Sequence, residues 1–209
     1  MVAESVFNQL KHPNPQMRER AMAEIVENRD DNTIPTLMAA LGEEDVVYRR
    51  ACVKTLGAVG MDSVPAVVEQ MLNEANDTVR ASCTKAMAQI AVYHPDEPFP
   101  QEGLDGLKKA MEDPYPVVQI AAVMSMGEIG VPAVETLLDA LKTTDNVAIA
   151  LTITNTLGSI GDPRALDVLK DLIKDETIDS YVRETAESAL PRLEQVMTLR
   201  EAKGSARNS

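Results

Sequence analysis

One short pattern recurs six times along the chain: an apolar residue, then usually Arg, a residue three further on that is usually small, and an apolar residue seven past the Arg position. The copies are Met17-Arg18…Ile25, Tyr48-Arg49…Leu56, Val79-Arg80…Met87, Val118-Gln119…Met126, Ile149-Ala150…Leu157 and Val182-Arg183…Leu190, with anchors 31, 31, 39, 31 and 33 residues apart. A period near 31 is one supersecondary unit that cannot bury its apolar face alone, so neighbouring units must stack. This constraint outranks the usual inference from 209 residues to one or two globular domains, because a stack grows by addition and has no central core to outgrow.

Each unit carries a second landmark, a proline behind an apolar or capping residue: Ile34-Pro35, Val64-Pro65, Phe99-Pro100, Val131-Pro132 and Asp162-Pro163. Proline is tolerated in the first helical turn, where its missing N–H has no intrahelical partner to lose. Each proline therefore opens a first helix, such as 65–74 or 132–142. Acidic or polar turns follow (Glu43-Glu44-Asp45, Asn76-Asp77, Glu112-Asp113, Thr144-Asp145 and Asp175 onward), and an Asp or Asn there caps the second helix, which bears the Arg pattern. Glycines then close it: Gly57 and Gly60, Gly127 and Gly130, Gly158 and Gly161.

The pattern resembles HEAT repeats. It implies an all-α chain, an α-solenoid of HEAT-like helix pairs with about five repeats plus capping helices, over residues 1–199, followed by a disordered tail at 200–209. The recurring Arg has two readings, a residue that binds an acid and a ladder that ties each acidic turn to the next repeat; its recurrence favours the ladder. Its loss at Gln119 and Ala150 predicts a looser ladder there.

Composition narrows the function. The formal charge of −13 and a pI near 4.6 argue against nucleic acid, whose binding relies on clustered Lys and Arg, and against anionic lipid. No apolar run approaches the ~20 residues of a membrane span, and residues 1–10 lack the basic and apolar regions of a secretory signal. Two cysteines make no disulfide framework, so a reducing, cytoplasmic setting is expected. The two histidines, His12 and His94, stand in separate loops without neighbours at ligand spacing, so no metal site is expected. No nucleophile elbow, phosphate loop or dinucleotide fingerprint occurs, and no catalytic residue is assigned. Cys52 and Cys83 sit at equivalent positions of adjacent repeats. Three readings stay open for them: compact packing, transient thiol attachment of an electrophilic ligand, or a disulfide, for which adjacent packed helices usually sit too far apart.

Two regions stand apart from the scaffold. The rows one and five residues past each Arg position point away from the packed stripe and collect Arg50, Lys54 and Lys85 beside Ile120, Met124 and Leu151. In HEAT-type stacks the second helices line the concave face. These six residues therefore form a candidate groove for an amphipathic partner helix, or for a flat apolar ligand bearing carboxylates. Packing of Ile120 and Leu151 against a neighbouring repeat is the competing reading. The second region is the insertion that stretches one interval to 39 residues; with Tyr93, His94, Phe99 and Tyr115 it is a candidate binding loop, or else a proline-stiffened connector.

The stretches His12-Pro13-Asn14-Pro15, Glu44-Asp45-Val46-Val47-Tyr48-Arg49-Arg50-Ala51 and Asp179-Ser180-Tyr181-Val182-Arg183-Glu184-Thr185-Ala186 resemble those of the E/F-type phycobilin lyase family. Within it the chain is most similar to the CpeZ-like phycoerythrin chaperone branch, including residues 93–99. That family attaches open-chain tetrapyrroles to cysteines of phycobiliproteins, or holds those clients. The resemblance implies an accessory, chaperone-like protein of phycobiliprotein maturation that is not catalytic on its own. Its partners would be a phycobiliprotein subunit and a HEAT-repeat lyase chain. It would bind no permanent cofactor, would contact a phycobilin only transiently, and would work in the cyanobacterial cytosol or a plastid stroma. The alternatives are the catalytic half of a heterodimeric lyase, and an adaptor unrelated to pigments.

Overall fold

The computed structural model describes residues 4–207, with side chains to residue 202, and contains no strand among them. In chain order the helices are α1 (Glu4–Gln9), α2 (Pro15–Glu27), α3 (Thr33–Ala39), α4 (Val46–Val59), α5 (Val64–Asn73), α6 (Asp77–Tyr93), α7 (Gln101–Ala110), α8 (Pro116–Ile129), α9 (Val134–Thr143), α10 (Val147–Ile160), α11 (Arg164–Lys174) and α12 (Ser180–Arg207). Two compact units result, one ending at Glu128 and the other beginning at Ile129. In the first, α2 packs on α4, α4 on α6, and α5 on both α6 and α7; in the second, α9 packs on α10, and α12 on α10 and α11.

Local chemistry starts the pattern-bearing helices. Asn14 Oδ1 accepts the Gln16 N–H at 2.9 Å, Asp45 those of Val47 and Tyr48, Asn76 that of Thr78, Asn146 those of Ala148 and Ile149, and Asp179 that of Tyr181. Each bond satisfies a backbone donor that the helix itself cannot, which is typically worth about 1 kcal/mol. The prolines stand in or beside the first turn of the other helices, with Pro65 second in α5 and Pro100 and Pro163 immediately before α7 and α11. Gly60 ends α4 at φ 92°, a conformation that a side chain would strain.

The repeated stripe is the core. Ile25, Cys52, Leu56, Cys83, Met87, Ala122, Met126, Ile153, Leu157 and Ala186 are all fully buried. Burying each large member stabilises by roughly 1.5–3 kcal/mol. Two of the glycines serve this packing rather than helix ends. Gly57 lies inside α4, where an added Cβ would come 2.4 Å from Gln89 Cβ and 2.8 Å from its carbonyl carbon; Gly158 inside α10 meets Ala189 Cβ at 2.8 Å in the same way. Both let two helix backbones approach closely.

The arginines behave differently from the expected ladder. Arg18 donates to the His12 and Pro13 carbonyls at 2.6 and 2.9 Å, Arg49 to that of Glu43, and Arg80 to those of Glu74 and Ala75 at 2.8 Å. Each one staples the turn that precedes its own helix. Only Arg80 also reaches the next turn, where Nε and Nη2 bind the Asp113 carboxylate at 2.6 and 3.0 Å with both side chains under 10% exposed. Gln119 keeps the staple of its own turn by donating to the Asp113 carbonyl at 2.7 Å. At the carboxyl end α12 continues to Arg207, past the residue 200 boundary at which the sequence reading begins a tail, because 198–202 offer helix formers without a breaker. Residues 208–209 lie outside the described ones.

Candidate binding groove

The outward rows follow from helical periodicity. Once the Arg position and the residues three and seven further on face the core, those one and five further on turn away from that stripe, although Ala81 in this row is still buried. Arg50 and Lys85 are exposed accordingly, and Lys54 is half-buried. On the surface of α2, α4 and α6 they border two hollows that share Arg50 and Lys54. One, of about 240 Å³, is lined by Leu10, Arg18, Glu19, Met22, Val47, Arg50, Ala51 and Lys54. The other, of about 360 Å³, is lined by Val46, Arg49, Arg50, Val53, Lys54, Ser82, Lys85 and Gln89, with no carboxylate among them.

The charges in this groove are unevenly matched. Lys54 is ion-paired to Glu19 of α2, which raises its pKa, and Tyr93 adds to that effect. Lys85 titrates below an ordinary lysine because of partial burial and the neighbouring charges of Arg49 and Arg50. Among the described residues neither Arg50 nor Lys85 forms an ion pair. A chain with formal charge −13 thus keeps a cationic cluster in which Arg50 and Lys85 have no ion-pair partner among the described residues, while Lys54 has Glu19. Arg49, which the sequence favours as scaffold with acid binding as its other reading, belongs to it; the adjacent Arg49-Arg50 pair was the available signal.

The apolar half of the expected groove is only partly assembled. The Ser125 hydroxyl donates to the Thr84 carbonyl at 2.6 Å and holds α8 beside α6. On α8 Met124 is 61% exposed, while Ile120 is half-buried. Leu151 is half-buried on α10 of the second unit.

The four insertion residues do not form one loop site. Tyr93 ends α6 and turns to the first hollow, its hydroxyl 3.8 Å from the Met22 sulfur. It therefore joins the groove. The His94 ring lies against Gly60, where a Cβ would meet Nε2 at 2.7 Å, and its Nδ1 pairs with Glu97 at 2.9 Å. Phe99 packs on Gly103, and Tyr115, half-exposed, faces the Arg80 guanidinium at 5.4 Å. These three brace repeat junctions.

Cys52 and Cys83 are fully buried, and burial pushes both thiols up to about 12. Neither offers a thiolate at neutral pH. No group of three His, Cys, Asp or Glu side chains among the described residues is arranged to hold a metal ion, and no single helix is long and apolar enough to cross a membrane.

The HEAT repeats family matches residues 3–88 and 104–191, leaving out only the ends and the insertion. The chain belongs to the HEAT-repeat family. This HEAT-repeat protein is 55% identical over 196 residues to an uncharacterized phycocyanin operon protein Z of Pseudanabaena tenuis (strain PCC 7409), covering 94% of its own length and 97% of the relative's. At that identity and coverage the two are members of one family. It is also 29% identical over 177 residues, 82% of its length and 95% of the relative's, to the bilin biosynthesis protein CpeZ of Synechococcus sp. (strain WH8020). The HEAT-repeat family expected from the sequence is thus the right one, and both relatives agree with the expected likeness to proteins of bilin attachment. Among solved structures, it is 15% identical to the complex of CpcE and CpcF of phycocyanin lyase from Nostoc sp. PCC7120, with a TM-score of 0.48 over 73% of this chain and 95% of that one. A designed armadillo repeat protein gives 15% identity and a TM-score of 0.45 over 91% and 99%.

Proposed function

We propose that this protein is an accessory factor in bilin biosynthesis that binds a phycobiliprotein subunit, or the lyase serving it, and so assists attachment of the bilin to the client's cysteine. The observation that carries this reading is the 55% identity, over nearly the full length of both chains, to a protein of a phycocyanin operon. The 29% identity to a bilin biosynthesis protein supports it from a second relative. In this reading the second partner is a HEAT-repeat lyase chain, and the setting is the cyanobacterial cytosol in which phycobiliproteins mature.

The residues fit binding rather than covalent transfer. With both thiols buried and protonated, a bilin in transit makes no thioether here and is held by non-covalent contact alone. The groove over α2, α4 and α6, with Met124 and Ile120 beyond it on α8, is the proposed contact surface. Orienting a client thiol and a bilin lowers the entropic part of the barrier without any catalytic group from the accessory chain.

The test is coexpression of a phycobiliprotein subunit, its bilin and its lyase with and without this protein, run in parallel for phycocyanin and phycoerythrin subunits. A several-fold higher yield of covalently chromophorylated client with one of them is the expected result. Equal yield and absorbance in both series would reject the reading.

A further inference from the structure

The two hollows lie on three successive helices and share a wall made of Arg50 and Lys54. Packed helices stand about 8–10 Å apart, and side chains seven residues apart on one face of a helix are separated by about 10 Å, so the hollows match an i, i+7 spacing. Apolar side chains stand among the charged ones that line them: Val47 and Met22 in the first and Val46 and Val53 in the second, with Val46 and Val47 42% and 44% exposed. Between and beside the hollows stand Arg50 and Lys85, which form no ion pair among the described residues. One carboxylate, Glu19, already occupies Lys54 from the α2 side and shows the kind of group that this wall accepts.

We propose that this double hollow seats an acidic amphipathic helix of a partner protein, with carboxylates on Arg49, Arg50 and Lys85 and one apolar side chain in each hollow. Charge complementarity selects the occupant. The second hollow is lined by four cationic side chains and no acid, within a chain of net charge −13. The remaining acidic surface repels such a helix, which confines it to this place and adds specificity to the pairing. Past the hollows, the exposed Met124 on α8 meets the apolar end of the same helix. Helix-in-groove recognition of this type is read through anchors at i, i+3, i+4 and i+7. The choice of a phycobiliprotein subunit or its lyase as the source of the helix rests on the function proposed above. The groove's preference for acid does not.

Two labelled, helix-stabilised peptides of about 20 residues test the proposal, both with Leu at two positions seven apart; one has Glu and its twin has Gln at the intervening same-face positions. Fluorescence anisotropy should give the Glu peptide about tenfold tighter binding than its twin. R50Q/K85Q should abolish the preference while leaving the melting temperature unchanged, and R50E/K85E should bind a Lys version of the peptide instead. Equal affinity for the Glu and Gln peptides, a preference that survives R50Q/K85Q, or no binding of the Glu peptide at about 100 μM would each overturn the proposal. Biliverdin is included as an open-chain tetrapyrrole dicarboxylate. If it binds in a manner that R50Q/K85Q abolishes while neither peptide binds, a small-molecule site replaces the proposed one. Coexpression reads the function and anisotropy reads the groove, so either can fail alone.

Discussion

Helices α4 and α6 of the first unit meet through Gly57 on Gln89, and helices α10 and α12 of the second meet through Gly158 on Ala189. The inward device is the same in both. The residues one and five past the Arg position are not: Arg50, Lys54, the buried Ala81 and Lys85 stand on the first pair, whereas Leu151, Asn155, Glu184 and Ser188 occupy the same positions on the second. On the second pair the available guanidinium, Arg192, is spent locally on the Asn155 carbonyl and side chain at 3.1 Å. One set of positions keeps the repeat in register, and the other is free to differ. The contrast extends to the staples. Arg80 in α6 binds two carbonyls and the Asp113 carboxylate, while the equivalent Arg183 in α12 has a buried Nε with no hydrogen-bond partner.

The largest effect should come from that last difference. Arg80→Ala strands the buried Asp113 carboxylate and should cost about 3 kcal/mol or more, lowering the melting temperature by roughly 10 °C, whereas Arg183→Ala should cost under about 1 kcal/mol. Equal losses in thermal melts would erase the distinction. Next come the glycines. Gly→Ala inside a helix ordinarily gains about 1 kcal/mol, but Gly57→Ala should lose roughly 1–3 kcal/mol because the new methyl comes within 2.4 Å of Gln89 Cβ and 2.8 Å of its carbonyl carbon; Gly158→Ala should lose less, its approaches being 2.8 Å to Ala189 Cβ and 3.0 Å to its carbonyl oxygen. A stabilised Gly57→Ala variant would show that the helices have room to part.

Acid reads the same comparison. Burial pushes Asp113 up, but the Arg80 bonds and the Tyr115 N–H outweigh it and hold its pKa below the usual range; Arg164 does the same for Asp162 in the second unit. A depressed carboxylate stabilises the fold fully above its unfolded value, about pH 4, and that contribution fades as pH falls through the folded value. Urea midpoints should therefore drop below about pH 4, and less steeply in Arg80→Ala, which has already lost the pair. Identical slopes in the two proteins would assign the acid sensitivity elsewhere. The smallest effect is expected at Glu19→Gln: the exposed pair with Lys54 is worth at most about 0.5–1 kcal/mol, so the unfolding free energy should barely move.

The fold was legible because its determinants are local. Caps act over two or three residues, and the stripe repeats at three and seven, so Asn14, Asp45 and Asn76 announce their helices without knowledge of anything distant. The basic half of the groove was legible for the same reason, because helical geometry alone turns Arg50, Lys54 and Lys85 to one side. Contacts between repeats were not. Nothing in the residue types says that Arg18 and Arg49 take carbonyls of their own turn instead of acids of the next, since the acceptor depends on the path of that turn. Gly57 and Gly158 look like helix ends in the sequence, and only the position of the facing backbone shows them to be contact points. Tyr93 and His94 are adjacent in the chain yet part company, because α6 runs on to Tyr93 and the next residue falls onto Gly60.

The span of the inter-repeat links has a consequence for how the chain acquires its structure. Arg29 reaches Asp62 and Arg80 reaches Asp113 across 33 residues, Lys54 reaches Glu19 across 35, and Ser125 reaches Thr84 across 41. None of these closes a loop much longer than one repeat, so the entropy lost on closure is small and nearly constant along the chain. Links of this span favour faster folding than ones that join distant parts of a chain, and the longer contact of Tyr93 with Met22, across 71 residues, is a surface one that the cores of the repeats do not need. Within each unit, a chain released from the amino end can bury a new helix against one made shortly before it.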